Sequence, residues 1–231
     1  DFFFFLEIDL GLSQTYGLIL PENFRTPFFS KSVVEFWRRW HITLGNWMKN
    51  YVFYPLLRTD AFTKLGGSLR NKLGKKTGKQ ITTFLAMFVL WFTVGIWHGP
   101  DWKYVLGSGL IHWLYIVLGE VCEPLNKKIR SRLHMTEKSR FWNLFRMVRT
   151  FFLITIAFVF FRAESVGCAL AMLKSMFTIW NPQIFVNSDL FAMGLDWIEF
   201  SIAVISLLML WGVSLLQNKG IRIRESIGKK K

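Results

Sequence analysis

Ile81-Thr82-Thr83-Phe84-Leu85-Ala86-Met87-Phe88-Val89-Leu90-Trp91-Phe92-Thr93-Val94-Gly95-Ile96-Trp97 carries no charge and runs directly into His98-Gly99. A helix rises about 1.5 Å per residue and the hydrocarbon core of a bilayer is about 30 Å thick, so this run crosses a membrane with modest help from its flanks. Lipid offers peptide groups no partners, so a spanning segment of this kind is helical. The imidazole at its end is unusual. Ionisable groups at membrane depth are costly and mark functional positions, and histidine is the side chain whose proton moves near neutral pH.

Three further apolar segments can be drawn, at 104–122, 150–161 and 200–216. The first and last are long enough to span. The segment at 150–161 is short, and needs snorkelling by Arg146, Arg149 and Arg162 or a position among other helices. The 231 residues are 52% hydrophobic, 17% aromatic and 19% charged, which is less charge than a soluble domain carries. The net charge of +14 raises the question of nucleic acid. The basic residues instead cluster between apolar runs, and no RNA- or DNA-binding motif is present, so no nucleic-acid partner is expected.

The loops alternate in charge. Residues 58–79 hold Arg58, Lys64, Arg70, Lys72, Lys75, Lys76 and Lys79 against Asp60. Residues 123–149 and the tail from Lys219 to Lys231 are also basic, whereas 99–103 is short and 162–199 carries Glu164, Asp189, Asp196 and Glu199. Placing the basic loops and the C-terminus in the cytoplasm gives a consistent four-crossing path. The expected fold is therefore an all-α integral membrane protein, a polytopic helical bundle forming one membrane domain over 1–231. The opening Asp1-Phe2-Phe3-Phe4-Phe5 has no basic n-region or cleavage site and reads as the middle of a hydrophobic segment. The expectation is a C-terminal part of a longer protein. Cys122 and Cys168 lie far apart in no metal-binding pattern, so no metal site is expected and both read as small packing residues.

Residues 31–54 form a different element. Val33, Trp37, Trp40, Leu44, Trp47 and Met48 recur at helical spacing, with Glu35, Arg38, Arg39, Asn46 and Lys49 mostly opposite. This predicts one amphipathic helix, interfacial or re-entrant, bounded by Pro27 and Pro55. Its i, i+4 stripe carries Trp37, His41 and Leu44–Met48 on one face. Arg38 and Arg39 read as anchors to phosphate headgroups.

His98 and His41 are thus two imidazoles in aromatic, membrane-like surroundings, with His112 a third. A neutral imidazole in a low-dielectric site accepts a hydroxyl proton as a general base. Gly95, about one turn before His98, leaves room for a substrate or a neighbouring helix. On the residues alone two readings stay open, a catalytic base and a hydrogen-bonded packing residue. For His112, packing is the stronger one.

Glu35-Phe36-Trp37-Arg38-Arg39-Trp40-His41-Ile42-Thr43-Leu44, continuing to Tyr51-Val52-Phe53-Tyr54-Pro55-Leu56, resembles the signature of the membrane-bound O-acyltransferase family. Pro21-Glu22-Asn23-Phe24, Gly95-Ile96-Trp97-His98-Gly99 and Phe158-Val159-Phe160-Phe161-Arg162-Ala163-Glu164-Ser165 are similar to its bacterial branch, which includes alginate O-acetylation proteins and the D-alanyl transfer protein of teichoic acid modification. The resemblance implies that His98 is the catalytic residue in a tunnel through the membrane and that His41 supports it. It implies a cytoplasmic thioester donor, acyl-CoA or an acyl-carrier protein, with no tightly bound cofactor; residues that bind the donor are not assigned. The acceptor would be a hydroxyl of a cell-envelope or exported polysaccharide, reached directly or through a secreted or periplasmic acetyltransferase partner at the bacterial plasma or inner membrane. D-alanyl transfer to teichoic acid is the alternative acylation. A non-catalytic transporter or export scaffold is the alternative of another class; 81–97 contains no carboxylate and Glu120 lies near a segment end, which favours the enzyme. One departure stands out. The family carries small Ser/Gly residues where this chain has the phenylalanine run, and the family's N-terminal helices have no counterpart here.

Overall fold

The computed structural model describes residues 8, 11–13, 15–137, 139–185, 191, 194, 196–218 and 220. The phenylalanine run at 2–5, Asp189 and the basic tail at 219 and 221–231 lie outside the described residues. All regular structure among the described residues is helical. The chain divides into two compact units, Asp1–Met172 and Leu173–Lys231.

In the first unit a short 3-10 turn, Pro27–Phe29, leads to α1 (Val33–Arg39) and α2 (Ile42–Met48). A π-helical turn, Lys49–Phe53, carries α2 into α3 (Tyr54–Arg58), followed by α4 (Asp60–Leu73). The long helix α5 (Lys75–His98) comes next, then α6 (Trp102–Val121), α7 (Glu123–Arg132) and α8 (Arg140–Arg162). Helix α9 (Val166–Thr178) crosses the division, and α10 (Trp197–Asn218) belongs to the second unit. Four helices, α5, α6, α8 and α10, are long and apolar enough to cross a membrane.

Small residues bring α5 and α6 together. A Cβ on Gly95 would lie 2.6 Å from the Val105 Cα, and one on Gly109 would lie 2.5 Å from the Trp91 carbonyl oxygen. Backbone contact of this closeness is how helices associate where lipid removes the hydrophobic drive. The contact surface on α6 is a π-helical stretch, Val105–Leu110, in which Val105, Gly107, Ser108 and Gly109 are buried. Gly107 leaves the space that Phe160 of α8 fills. Two apolar clusters complete the packing: Val33, Phe36 and Ile154 join α1 to α8, and Met48, Trp91 and Val94 join α2 to α5.

Helix α8 differs from the short segment drawn at 150–161. Its 23 residues begin at Arg140, and at 1.5 Å each span about 35 Å. The Ser139 hydroxyl accepts the Trp142 N–H at its N-terminus. The cations that argued for a loop, Arg146 and Arg149, are accommodated because both donate to the Lys31 carbonyl, at 3.4 Å each.

The single amphipathic helix expected over 31–54 is broken. Trp40 is extended and His41 adopts the left-handed conformation, φ 48° and ψ 53°. The strand of chain at 23–25 satisfies the peptide groups that the break frees. Ile42 N–H donates to the Asn23 carbonyl (3.1 Å), Arg25 N–H to the Arg39 carbonyl (2.9 Å), and both Thr43 N–H and its hydroxyl donate to Asn23 Oδ1 (3.1 and 2.6 Å). Beyond it the helical path continues through Pro55 to Arg58, because proline stands in the first turn of α3, directly after the π-helical turn.

Candidate active site

His98 is the last residue of α5, and its ring meets Trp97 at 4.8 Å and Phe161 of α8 at 5.4 Å, both edge to face. The following Gly99 has φ 153°, and a Cβ there would lie 2.8 Å from the Tyr104 ring. Glycine is therefore required on two counts, and the sharp exit leaves the imidazole at the helix end. Lys103 Nζ donates to the Ala163 carbonyl (2.8 Å), tying the turn after Gly99 to the end of α8.

His41 comes from the other side. The break between α1 and α2 sets its ring 6.0 Å from Trp97, edge to face, and 6.3 Å from Phe24. One indole thus borders both imidazoles. Burial pushes the His41 pKa below its ordinary 6.5, so at neutral pH its ring is uncharged. His112 is only 1% exposed and packs against Trp37 (4.8 Å) and Trp91 (5.5 Å).

A cavity of about 350 Å³ lies between the broken helix and α5. The stripe Trp37, His41, Leu44 and Met48 survives the break and forms one wall; Leu90, Trp91 and Val94 form the facing one. Three charged side chains also line it, Arg38, Lys49 and Glu120. Glu120 accepts a hydrogen bond from Gln80 (3.0 Å), near the basic end of α5. On α5 the lining runs from Met87 to Val94, about 10 Å along the helix, and both Glu120 and His41 border the cavity. His98 is not part of its lining and meets His41 across Trp97. Arg38, read as a headgroup anchor, is exposed and also borders this cavity. The place of Glu120 in it was not foreseen, although Ile116 and Glu120 share a helix face at i, i+4. Among the described residues no group of three or more His, Cys, Asp or Glu side chains is placed to hold a metal ion.

A hydroxyl brought to His41 in this cavity would meet a neutral imidazole, the form in which a histidine acts as a base. The chain is 28% identical over 210 residues to the Probable alginate O-acetylase AlgI of Pseudomonas aeruginosa, covering 91% of this chain and 34% of that protein. It is 28% identical over 178 residues to the Peptidoglycan O-acetyltransferase of Helicobacter pylori, covering 76% and 28%. It is 28% identical over 164 residues to the Teichoic acid D-alanyltransferase of Bacillus subtilis, covering 71% and 38%. The chain spans about a third of the length of these relatives. The model of the family described as MBOAT matches residues 1–163, a stretch that holds the broken helix, the cavity and all three ring-packed histidines, and the chain belongs to the membrane-bound O-acyltransferase family.

Proposed function

We propose that this chain carries the histidine-bearing part of a membrane-embedded O-acyltransferase that moves an acyl group, acetyl in the first reading, from a cytoplasmic thioester to a hydroxyl of a cell-envelope or exported polysaccharide. The observation that supports it best is the cavity walled by His41, with His98 held one indole away. His98 takes the proton of the acceptor hydroxyl as its oxygen attacks the thioester carbonyl. The tetrahedral centre collapses, the C–S bond breaks, and the imidazolium returns the proton to the leaving thiolate. Ester and free thiol result, and the imidazole is regenerated. His41, neutral and on the cavity wall, orients the donor or the acceptor beside it. Acyl-CoA or an acyl-carrier protein supplies the thioester at the basic, cytoplasmic end, where Lys49 and Glu120 stand, and the acceptor arrives from the His98 end, either the polysaccharide itself or a secreted or periplasmic acetyltransferase that relays the group.

The test is His98→Ala in the full-length protein, assayed in membrane vesicles with radiolabelled donor. Ester formation is expected to fall to background while membrane insertion is unchanged; full acylation by the variant would refute the reading. A D-alanyl donor is the second reading, favoured by the similarity to the Bacillus subtilis D-alanyltransferase. Offering the same vesicles an acetyl thioester and a D-alanyl carrier thioester distinguishes the two.

A further inference from the structure

Arg146 and Arg149 lie one turn apart on α8, a helix long and apolar enough to cross a membrane. Arg146 Nε and Arg149 Nη2 both donate to one acceptor, the Lys31 carbonyl, and both bonds are long at 3.4 Å. A carbonyl oxygen carries only a partial charge and does not neutralise two guanidinium groups, whose like charges oppose each other at this spacing. The nearby carboxylates are already engaged. Glu35 accepts from Arg39 (2.6 Å) and from the Lys31 N–H (2.8 Å). Glu123 and Glu137 both accept from Arg130, at 3.3 and 2.7 Å. Among the described residues no carboxylate lies within ion-pair distance of Arg146 or Arg149.

Several polar atoms beside this pair are buried without a hydrogen-bond partner. They are Arg149 Nε itself, the Ser30 hydroxyl next to Lys31, and the Thr150 hydroxyl next to Arg149, with Ser30 and Thr150 only 1% and 2% exposed. Taken as whole residues, Arg146 and Arg149 are both half-buried. Exposed apolar side chains flank them: Phe145 and Phe152 stand one turn to either side of Arg149 on the same face, and Val148 lies between. Arg146 and Arg149 lie about 24 and 20 Å along the helix from Arg162, roughly 6 and 10 Å inside the far edge of a core about 30 Å thick, from where long arginine side chains reach headgroups by snorkelling.

We propose that Arg146 and Arg149 form a binding site for the phosphodiester of an anionic phospholipid in the leaflet on the basic side, with its acyl chains lying along Val148 and Phe152. Guanidinium groups match phosphate oxygens through paired N–H donors, which a single carbonyl cannot provide. The site lies apart from the cavity, so it stands independently of the acyl-transfer reading.

The test uses the full-length protein, purified in mild detergent, with phosphatidylglycerol, phosphatidylcholine and inorganic phosphate as probes in native mass spectrometry. The wild-type protein is expected to retain phosphatidylglycerol in preference to phosphatidylcholine. Arg146→Gln/Arg149→Gln is expected to lower that retention about thirty-fold, the loss for two cations near a charged surface. Arg140→Gln, an exposed arginine of the same helix, is expected to leave it unchanged. Arg146→Lys/Arg149→Lys keeps the charges and loses the forked donors, and is expected to fall between. Equal retention of the two lipids by the wild-type protein would overturn the proposal whatever the variants do. Displacement of the lipid by inorganic phosphate would overturn the lipid assignment, and an equal loss in Arg140→Gln would reduce the site to diffuse surface charge.

Discussion

The rings of His41 and Trp97 meet edge to face with their centroids 6.0 Å apart, although one residue belongs to the broken amphipathic helix and the other to α5. Trp97 also packs edge to face on His98 at 4.8 Å, so its indole sets the spacing of the two imidazoles. Removing it leaves both histidines present but unplaced. Trp97→Ala is expected to lower acyl transfer about a hundredfold, the scale of a misplacement of roughly 1 Å at a reacting centre. Trp97→Phe, which keeps an aromatic wall, is expected to recover most of it. Transfer rates in vesicles, normalised to inserted protein, check both, and a Trp97→Ala rate equal to wild type would remove the indole from the site.

A pH effect follows from the buried His41. Its pKa is lowered by burial, so below the ordinary 6.5 the unfolded chain binds a proton that the folded protein does not. The stability that a neutral His41 allows is therefore full above pH 6.5, is lost as pH falls through that value, and stops falling once the lowered folded-state pKa is passed. His41→Gln is expected to remove this part of the dependence, leaving a flatter stability profile between neutral and mildly acid pH. Thermal unfolding in detergent at stepped pH measures the difference. An identical acid slope in both proteins would show that His41 is not the titrating group.

Much of this architecture was legible in the sequence, and the exceptions have physical causes. The uncharged run ending at Trp97 marks α5 because lipid-spanning helices need apolar length, and Lys75, Lys76 and Lys79 merely extend it at its N-terminus. The break at His41 was not legible, since the i, i+4 stripe of Trp37, His41 and Leu44 continues across it with no Pro or Gly to signal a stop. Its partner is Asn23, whose carbonyl and side chain satisfy Ile42 and Thr43 from twenty residues away in the chain. The N-terminal half of α8 was hidden for a related reason. Arg146 and Arg149 read as loop charges until the Lys31 carbonyl is brought to them. At the site, the motifs bearing His98 and His41 were visible, whereas the cavity between the broken helix and α5, and the charged lining of Arg38, Lys49 and Glu120, depend on tertiary packing.

The α5–α6 contact makes a contrast between two glycines testable. A methyl group at Gly95 meets the α6 backbone at Val105, and backbone cannot swing aside as a long side chain can. Gly95→Ala is expected to destabilise the protein by about 1–3 kcal/mol, the usual range for overpacking. Gly119 of α6 has nothing within 4 Å of the position a Cβ would take, so Gly119→Ala is expected to cost nothing. Unfolding midpoints of the two variants give the comparison, and equal midpoints would mean that the close approach at Gly95 is relaxed in the membrane.

Gly99 separates two kinds of strain. Alanine there suffers both the φ of 153° and the contact with the Tyr104 ring. The backbone part costs about 1–3 kcal/mol and persists whatever stands at 104. Gly99→Ala is expected to lower both stability and acyl transfer, because it moves the exit of α5 beside His98. Adding Tyr104→Ala removes the ring and is expected to restore only part of the stability. Full recovery in the double variant would assign the requirement for glycine to the ring alone.

The orientation of the site decides which side supplies the donor. The 24 residues of α5 rise about 36 Å, long enough to put Lys75 and His98 at opposite faces of a bilayer. With Lys75, Lys76 and Lys79 at the N-terminal end, the excess of positive charge gives the expectation that this end faces the cytoplasm and His98 the outer side. Cys122 and Cys168 are free thiols and are first replaced by serine. A cysteine is then introduced at exposed Ser68 of α4 or at exposed Pro100 after α5. A membrane-impermeant maleimide is expected to label Pro100→Cys in intact cells and Ser68→Cys only after permeabilisation. The opposite pattern would put His98 on the cytoplasmic face, and the thioester would then reach the histidines without traversing the cavity between Glu120 and His41.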